Sequence, residues 1–412
     1  MRTLAAALVL ALAATDAAAE TLHPWVILGP DGPVVRTATT EGACPRIRYD
    51  DFDRPMQARV GPWPAFPVTV CDAPLPPIVR EVRFAGAPVP VPAAEPQRIV
   101  VLGDTGCRVK EDGAQNCADP QAWPFARIAA SAAALKPDLV IHVGDYLYRE
   151  APCPAGSAGC AGSPHGDRYD TWRADFFDPA KPLLAAAPWI VVRGNHEDCR
   201  RAGHGWFRFL DPRPRAPDCE GFTDPYRVRL GGLDLIVMDN VYANDRNPEP
   251  AQVDRYRAQL VQARALAGPE SWLLVHRPQY GIYLMTGEGA ERRPIQTNAT
   301  MLAAAAPLGP DPFRLVFSGH IHRFDAISYE GGRPAQIVAG TGGTHLDGEA
   351  IERPTADLAV AGARVTHLTS RLQAGFLLLE REGTDWSGSL RDPDGSVVLR
   401  CRVTGKTVEC SP

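Results

Sequence analysis

The sequence predicts an α/β fold preceded by a small all-β domain, and three features of the residue pattern carry that prediction. From about residue 96 to residue 412, apolar strand-length runs alternate with helix-like stretches, as in an α/β domain with a largely buried sheet. Residues 20–95 are instead rich in Pro and β-branched side chains, with short runs separated by turn residues, which reads as a small antiparallel β domain. At the junction, residues 85–96 (AGAPVPVPAAEP) favour extended polyproline geometry and read as a stiff linker.

Taken in order, the N-terminal runs fall at 25–28, 57–60, 67–70 and 81–84. The buried strands of the larger domain are expected at 98–102, 138–143, 189–192, 233–238, 272–275, 313–317 and 336–339. A helix is expected over 124–135, stopped by Lys136-Pro137 because proline cannot continue it. A second covers 252–267 and ends at Gly268-Pro269. The tail, 376–410, alternates in polarity around Asp394-Gly395, a strong hairpin signal. No internal repeat is visible.

The formal net charge of -5 argues against the basic field that gathers nucleic acid or anionic lipid, so neither is an expected partner. Residues 1–19 place Arg2 ahead of an apolar run at 4–14 and small residues at Ala17 and Ala19, which reads as a signal segment cut before Glu20. That run is shorter than the roughly 20 residues a membrane span needs. A periplasmic or secreted protein is the expectation. The 10 cysteines then suggest disulfides, and sequence neighbours give the proposed pairs Cys44 with Cys71, Cys107 with Cys117, Cys153 with Cys160, Cys199 with Cys219 and Cys401 with Cys410. Sequence alone does not fix that connectivity. The competing reading, thiolate metal ligation, is weakened because no C-x-x-C pair occurs.

Five expected strands deliver polar residues of metal-ligand type. They are Gly103-Asp104-Thr105-Gly106, Gly144-Asp145-Tyr146-Leu147-Tyr148, Gly194-Asn195-His196-Glu197, His276, and Gly319-His320-Ile321-His322. In open α/β sheets, sites form in the crevice at the carboxyl ends of the strands, so these residues should converge. A glycine before the ligand, as at Gly103, Gly144, Gly194 and Gly319, lets backbone and metal approach without a Cβ between them. Singly each piece is weak, since Gly-Asp is usually a turn and a lone histidine is usually a core or surface residue. Their joint occurrence in this order, each after an apolar run, is hard to reach by chance.

This ordered set resembles the calcineurin-like metallophosphoesterase superfamily and, within it, the purple acid phosphatases. Most superfamily members carry Asp-x-His at the first motif. This chain has Asp104-Thr105-Gly106 there and ends its second motif in Tyr148, the paired variation of the purple acid phosphatases. The resemblance implies a sandwich of two central β-sheets flanked by helices, with a fibronectin- or immunoglobulin-like N-terminal domain placed as in the larger plant-type enzymes. It also implies iron(III) held by Asp104, Asp145, Tyr148 and His322. A second, divalent metal (iron, zinc or manganese) would be held by Asp145, Asn195, His276 and His320, with Asp145 bridging. Independent chemistry agrees, because hard oxygen ligands and a phenolate suit ferric iron whereas the nitrogen-richer set suits a divalent ion. A tyrosine of ordinary pKa about 10 ionises readily only beside such a cation.

The implied activity is hydrolysis of small phosphate monoesters by a hydroxide generated between two ions about 3.5–4 Å apart. The alternative on the same fold is a phosphodiesterase or pyrophosphate hydrolase. His196 is the expected general acid, its bland alternative being a residue that only orients Asn195. Plant-type relatives carry further histidines after the position of His276, where this chain has Arg277-Pro278-Gln279-Tyr280. Arg277 or His204 could contact phosphate in their place, although a bracing role for Arg277 and a surface role for His204 fit at least as well. His142 reads as a core or supporting histidine, His345 as a loop residue without a task, and His23, His165 and His367 as surface residues. No obligate protein partner is indicated. A non-enzymatic exported binding module is the rival class, and it predicts eroded ligands, which this chain does not have.

Overall fold

The computed structural model describes residues 20–214, 218–285, 293–351 and 358–412. The expected signal segment, residues 1–19, lies outside them. Strand residues alternate strictly between two faces. Ile99 and Val101 of strand Arg98–Leu102 point inward with Leu139, Ile141 and Val143 and meet Leu235, Trp272, Leu274 and Phe317 of a second sheet. Their neighbours Val100, Leu102 and Val140 point outward onto Ile128, Ala129 and Ala132 of helix Phe125–Ala134 and Leu183 of helix Asp178–Ala186. The second sheet likewise turns Ile236, Leu273 and Val316 toward helices Pro250–Ala265 and Ala299–Ala305. Helix, sheet, sheet and helix therefore stack as layers, and strands covered on both faces are apolar throughout.

Among the described residues the first sheet has 11 strands, with Arg98–Leu102, Leu139–His142, Trp189–Val191 and Trp25–Gly29 parallel at its centre. The second has 8, with Leu233–Val237, Ser271–Leu274, Leu315–Ser318 and Ala335–Ala339 parallel. The C-terminal hairpin closes one flank of the first sheet, its strands Asp385–Arg391 and Val397–Thr404 flanking Asp394-Gly395 as expected.

The N-terminal segment is all-β, and four of its strands continue the first sheet, where Ile27 pairs with Trp189. Four others form a separate sheet. Its edge strand, Ala87–Val89, lies inside the stretch read as a linker, an edge position that tolerates Pro88. Two arginines with fully buried side chains fasten this segment to the rest. Arg36 donates to the carbonyls of Phe209 and Asp211, and Arg59 to those of Phe207, Arg208, Asp211 and Arg213, in the last turn of helix Gly203–Phe209 and just beyond it. Cations at a helix carboxyl end satisfy its orphan carbonyls.

All five expected disulfides are formed. Among the described residues no helix is long and apolar enough to cross a membrane.

Candidate metal centre

The carboxyl ends of the parallel strands from both sheets face one crevice, and the turns there are conformationally costly. Asp104, Asp145 and His320 have φ of 59, 60 and 70°, a left-handed region that costs a non-glycine residue about 1–3 kcal/mol. Backbone bonds hold these turns: Asp104 N–H donates to Gly144 O at 2.9 Å, and His320 N–H to both Asp104 carboxylate oxygens at 3.1 and 3.2 Å. Two glycines are required by proximity. A Cβ on Gly194 would lie 2.1 Å from Asp145 N, and one on Gly319 would lie 2.2 Å from Asp104 Oδ2.

The structure brings all seven expected ligand side chains together. The Tyr148 hydroxyl lies 2.9 Å from Asp104 Oδ1, 2.8 Å from Asp145 Oδ2 and 2.9 Å from His322 Nε2. His276 Nε2 lies 3.2 Å from the same Asp145 Oδ2 and 3.0 Å from Asn195 Oδ1. Asp145, His276 and His320 each offer a ligand atom, all within 4.8 Å of one another. Asp145 Oδ2 is thus common to a Tyr148 side and a His276 side.

Supporting contacts fix which ring nitrogens face the crevice. His276 Nδ1 bonds the Val143 carbonyl at 2.8 Å and His322 Nδ1 the His345 carbonyl at 2.9 Å, leaving Nε2 inward in both. His320 is turned the other way, because its Nε2 meets Asp245 Oδ2 at 2.9 Å. His345, without a task in the sequence, thus supplies a backbone acceptor.

The donor set fits a cation. Tyr148 has one hydroxyl proton for three acceptors, and the inward His276 nitrogen faces two oxygens, so a proton or a metal ion must lie between them. Burial, with the Asp104 and Asp145 carboxylates, holds the Tyr148 phenol well above its usual range, so only a strong neighbouring cation would ionise it. Burial opposes ionisation of Asp145 too, but His276 and His196 outweigh it and hold that carboxyl well below the usual range.

Two buried carboxylates brace the turns of the candidate ligands: Glu197, to which the sequence reading gives no task, and Asp175, which it does not name. Glu197 accepts N–H bonds from Gly194, Asp145, Tyr146 and Leu147 at 2.8–3.2 Å, clamping the second motif to the third. Asp175 accepts from Cys107 N, Tyr148 N and Arg149 N and pairs with Arg149 Nε at 2.7 Å, clamping the first to the second. It sits in a π-helical turn, Arg173–Phe177, a distortion common at functional sites. Glu197 could have been found from its place beside Asn195-His196. Asp175 has no motif around it.

His196 stacks on Tyr148 with ring centroids 3.8 Å apart, bonds Glu150 Oε1 through Nδ1 at 2.8 Å, and directs Nε2 to 3.7 Å from Asp145 Oδ2. Arg277 does not point into the centre. Its guanidinium is used by Val241 O, Asp245 and His320, which is the bracing role. His204 lies against Trp63 and Asp218 O, away from the ligands. His142 is a core residue, stacked on Tyr146 and 3.0 Å from Thr105 Oγ1.

Comparison with known proteins places this geometry. A plant relative, purple acid phosphatase 23 of Arabidopsis thaliana, is 24% identical over 273 residues, covering 62% of this chain and 53% of its own. The chain therefore spans about half the length of that relative. Two solved structures share the fold: a purple acid phosphatase from yellow lupin (Lupinus luteus) seeds, with a TM-score of 0.55, 15% identity and coverage of 92% of this chain and 73% of that one, and PhoD, at 0.56, 13%, 96% and 91%. The calcineurin-like phosphoesterase profile matches residues 97–324, more than half of the sequence, and the chain belongs to that family.

Proposed function

We propose that this protein is an exported, dinuclear-metal phosphatase of the purple acid phosphatase type that hydrolyses small phosphate monoesters. The observation that carries it is the position of Asp145 Oδ2, shared between Tyr148 with Asp104 and His322 on one side and His276 with Asn195 on the other. In this reading Asp104, Asp145, Tyr148 and His322 hold iron(III), and Asp145, Asn195, His276 and His320 hold a divalent iron, zinc or manganese. When bound, the two cations supply charge that polarises the phosphate and lowers the pKa of water.

The chain's own side chains do the rest. Asp104, Asp145, Tyr148 and His276 are wholly enclosed, whereas Asn195, His196, His320 and His322 keep slight exposure, so the ester enters from their side. His196, whose Nε2 lies 3.7 Å from Asp145 Oδ2, gives its proton to the leaving oxygen, while Glu150 on Nδ1 holds the ring in place. Five disulfides support an oxidising compartment.

Metal analysis with a visible spectrum, run beside assays on a monoester and a diester, tests the reading. Two metals per chain, a tyrosinate-to-iron band and monoester preference are expected. Hydrolysis that survives complete metal removal would reject the metal mechanism, and a strong diester preference would reject the substrate.

A further inference from the structure

Beside the entrance lies a charged cluster that the proposed mechanism leaves partly unused. Arg201 Nη2 packs 3.0 Å from the ring nitrogens of His196, its Nη1 bonds the Asn195 carbonyl at 3.2 Å, and its Nε bonds Glu150 Oε1 at 2.6 Å. Lys110 Nζ stands 3.8 Å from Glu150 Oε2, beyond hydrogen-bond length. Lys110 belongs to a small hairpin, Val109–Lys110 with Gly113–Ala114, inside the loop closed by Cys107–Cys117. That hairpin is tied to the second motif by Val109 N–H donating to Tyr148 O at 3.0 Å. Two fixed cations thus share one carboxylate, and the cluster keeps a net positive charge. Side-chain exposure of 28% for Lys110 and 27% for Arg201 leaves both within reach of a ligand at the entrance.

We propose that Lys110 and Arg201 form a subsite for a second anionic group on the alcohol portion of the ester, so that the preferred substrates are phosphate esters of acidic alcohols. This rests on the phosphatase reading and narrows its substrate class. The placement is chemically consistent: Arg201 lies against His196, the residue assigned to the leaving oxygen, so a charge carried by the leaving alcohol passes the cationic pair. An anion approaching Lys110 replaces a loose contact with Glu150, and the Arg201 guanidinium, held in place by Glu150, Asn195 and His196, adds its positive charge beside it.

Equilibrium binding of two stable phosphonates to the metal-loaded protein tests this without turnover. The probes are 3-phosphonopropionate, which carries a carboxylate, and propylphosphonate, which does not. The carboxylate probe is expected to bind at least about fivefold tighter, with a preference that shrinks as salt rises. Lys110→Met and Arg201→Met should each cut that preference by about half or more, while Arg201→Lys should keep most of it. Equal affinities in the parent protein, a preference unchanged in both methionine variants, or failure to bind either probe would overturn the subsite. Hydrolysis of phenyl phosphate is followed in parallel. A carboxylate preference in a protein that hydrolyses nothing sinks the phosphatase reading and with it the substrate assignment, whereas hydrolysis with no preference sinks the subsite alone.

Discussion

Asp175→Asn is the sharpest test of how the ligand turns are held. Asp175 is wholly buried, and each of its oxygens meets two donors: Cys107 N and Arg149 Nε at Oδ1, Tyr148 N and Arg149 N at Oδ2. An asparagine keeps one oxygen and turns an NH2 group toward two N–H donors, and an unmet buried donor costs about 1–3 kcal/mol. It also strands the Arg149 charge, whose side chain is only 6% exposed, and breaking such a buried pair costs about 3–5 kcal/mol. These penalties overlap, so we expect a loss of about 3–5 kcal/mol in denaturant unfolding of the metal-free protein. Because Tyr148 N is one of the abandoned donors, affinity for the metal on the Tyr148 side should fall about 10–100-fold in a chelator competition. Adding Arg149→Met should recover part of the stability, since no buried charge is then left alone. A single variant within about 1 kcal/mol of the parent and with unchanged metal affinity would show that Asp175 clamps nothing.

Other outcomes follow from the same contacts. Tyr148→Phe removes the hydroxyl that meets Asp104, Asp145 and His322 and should abolish the visible band; a coloured variant would mean another ligand carries it. Asp245→Asn weakens the hold on His320 Nε2, so the divalent metal should be lost first while the colour persists, as paired metal analysis and absorbance would show. Burial lowers the His196 pKa against the pull of Asp145 and Glu150, so the acid form is lost as pH rises through a value below 6.5. With an ester of a poor leaving group, kcat should fall along that limb, and His196→Asn should lower kcat about 10²–10⁴-fold and flatten it. Cys107–Cys117 and Cys199–Cys219 close loops beginning within four residues of Asp104 and Asn195, so graded reduction should release metal before far-UV circular dichroism changes. Simultaneous loss of both signals would refute that order.

Most of the scaffold was legible because its signals are local. The expected strands 98–102, 138–143 and 189–192 match Arg98–Leu102, Leu139–His142 and Trp189–Val191, since a strand covered on both faces must be apolar throughout. The helix read at 252–267 runs Pro250–Ala265, starting earlier because proline suits a first turn. The stretch Tyr169–Ala186 carries no such local signal: its prolines, Pro179 and Pro182, read as breakers, yet the chain stays helical there, passing through the π turn Arg173–Phe177 just before them.

The proposed ligands announce themselves because their motifs lie in the turns just past strand ends, so their spacing is set by the sheet. The residues that hold them are under no such rule. Asp175 reaches the first two motifs from a helical turn, Asp245 reaches His320 from a loop, and Arg36 and Arg59 reach the end of helix Gly203–Phe209 from the N-terminal strands. Each answers a need visible only after folding: unpaired backbone N–H groups beside the ligand turns for Asp175, the outer ring nitrogen of His320 for Asp245, and orphan carbonyls at a helix end for Arg36 and Arg59. A buried carboxylate or guanidinium can meet several such groups at once and can come from any part of the chain that passes nearby. The chemistry is therefore written in short motifs, whereas its rigidity is written in isolated charged residues whose partners lie far away in sequence.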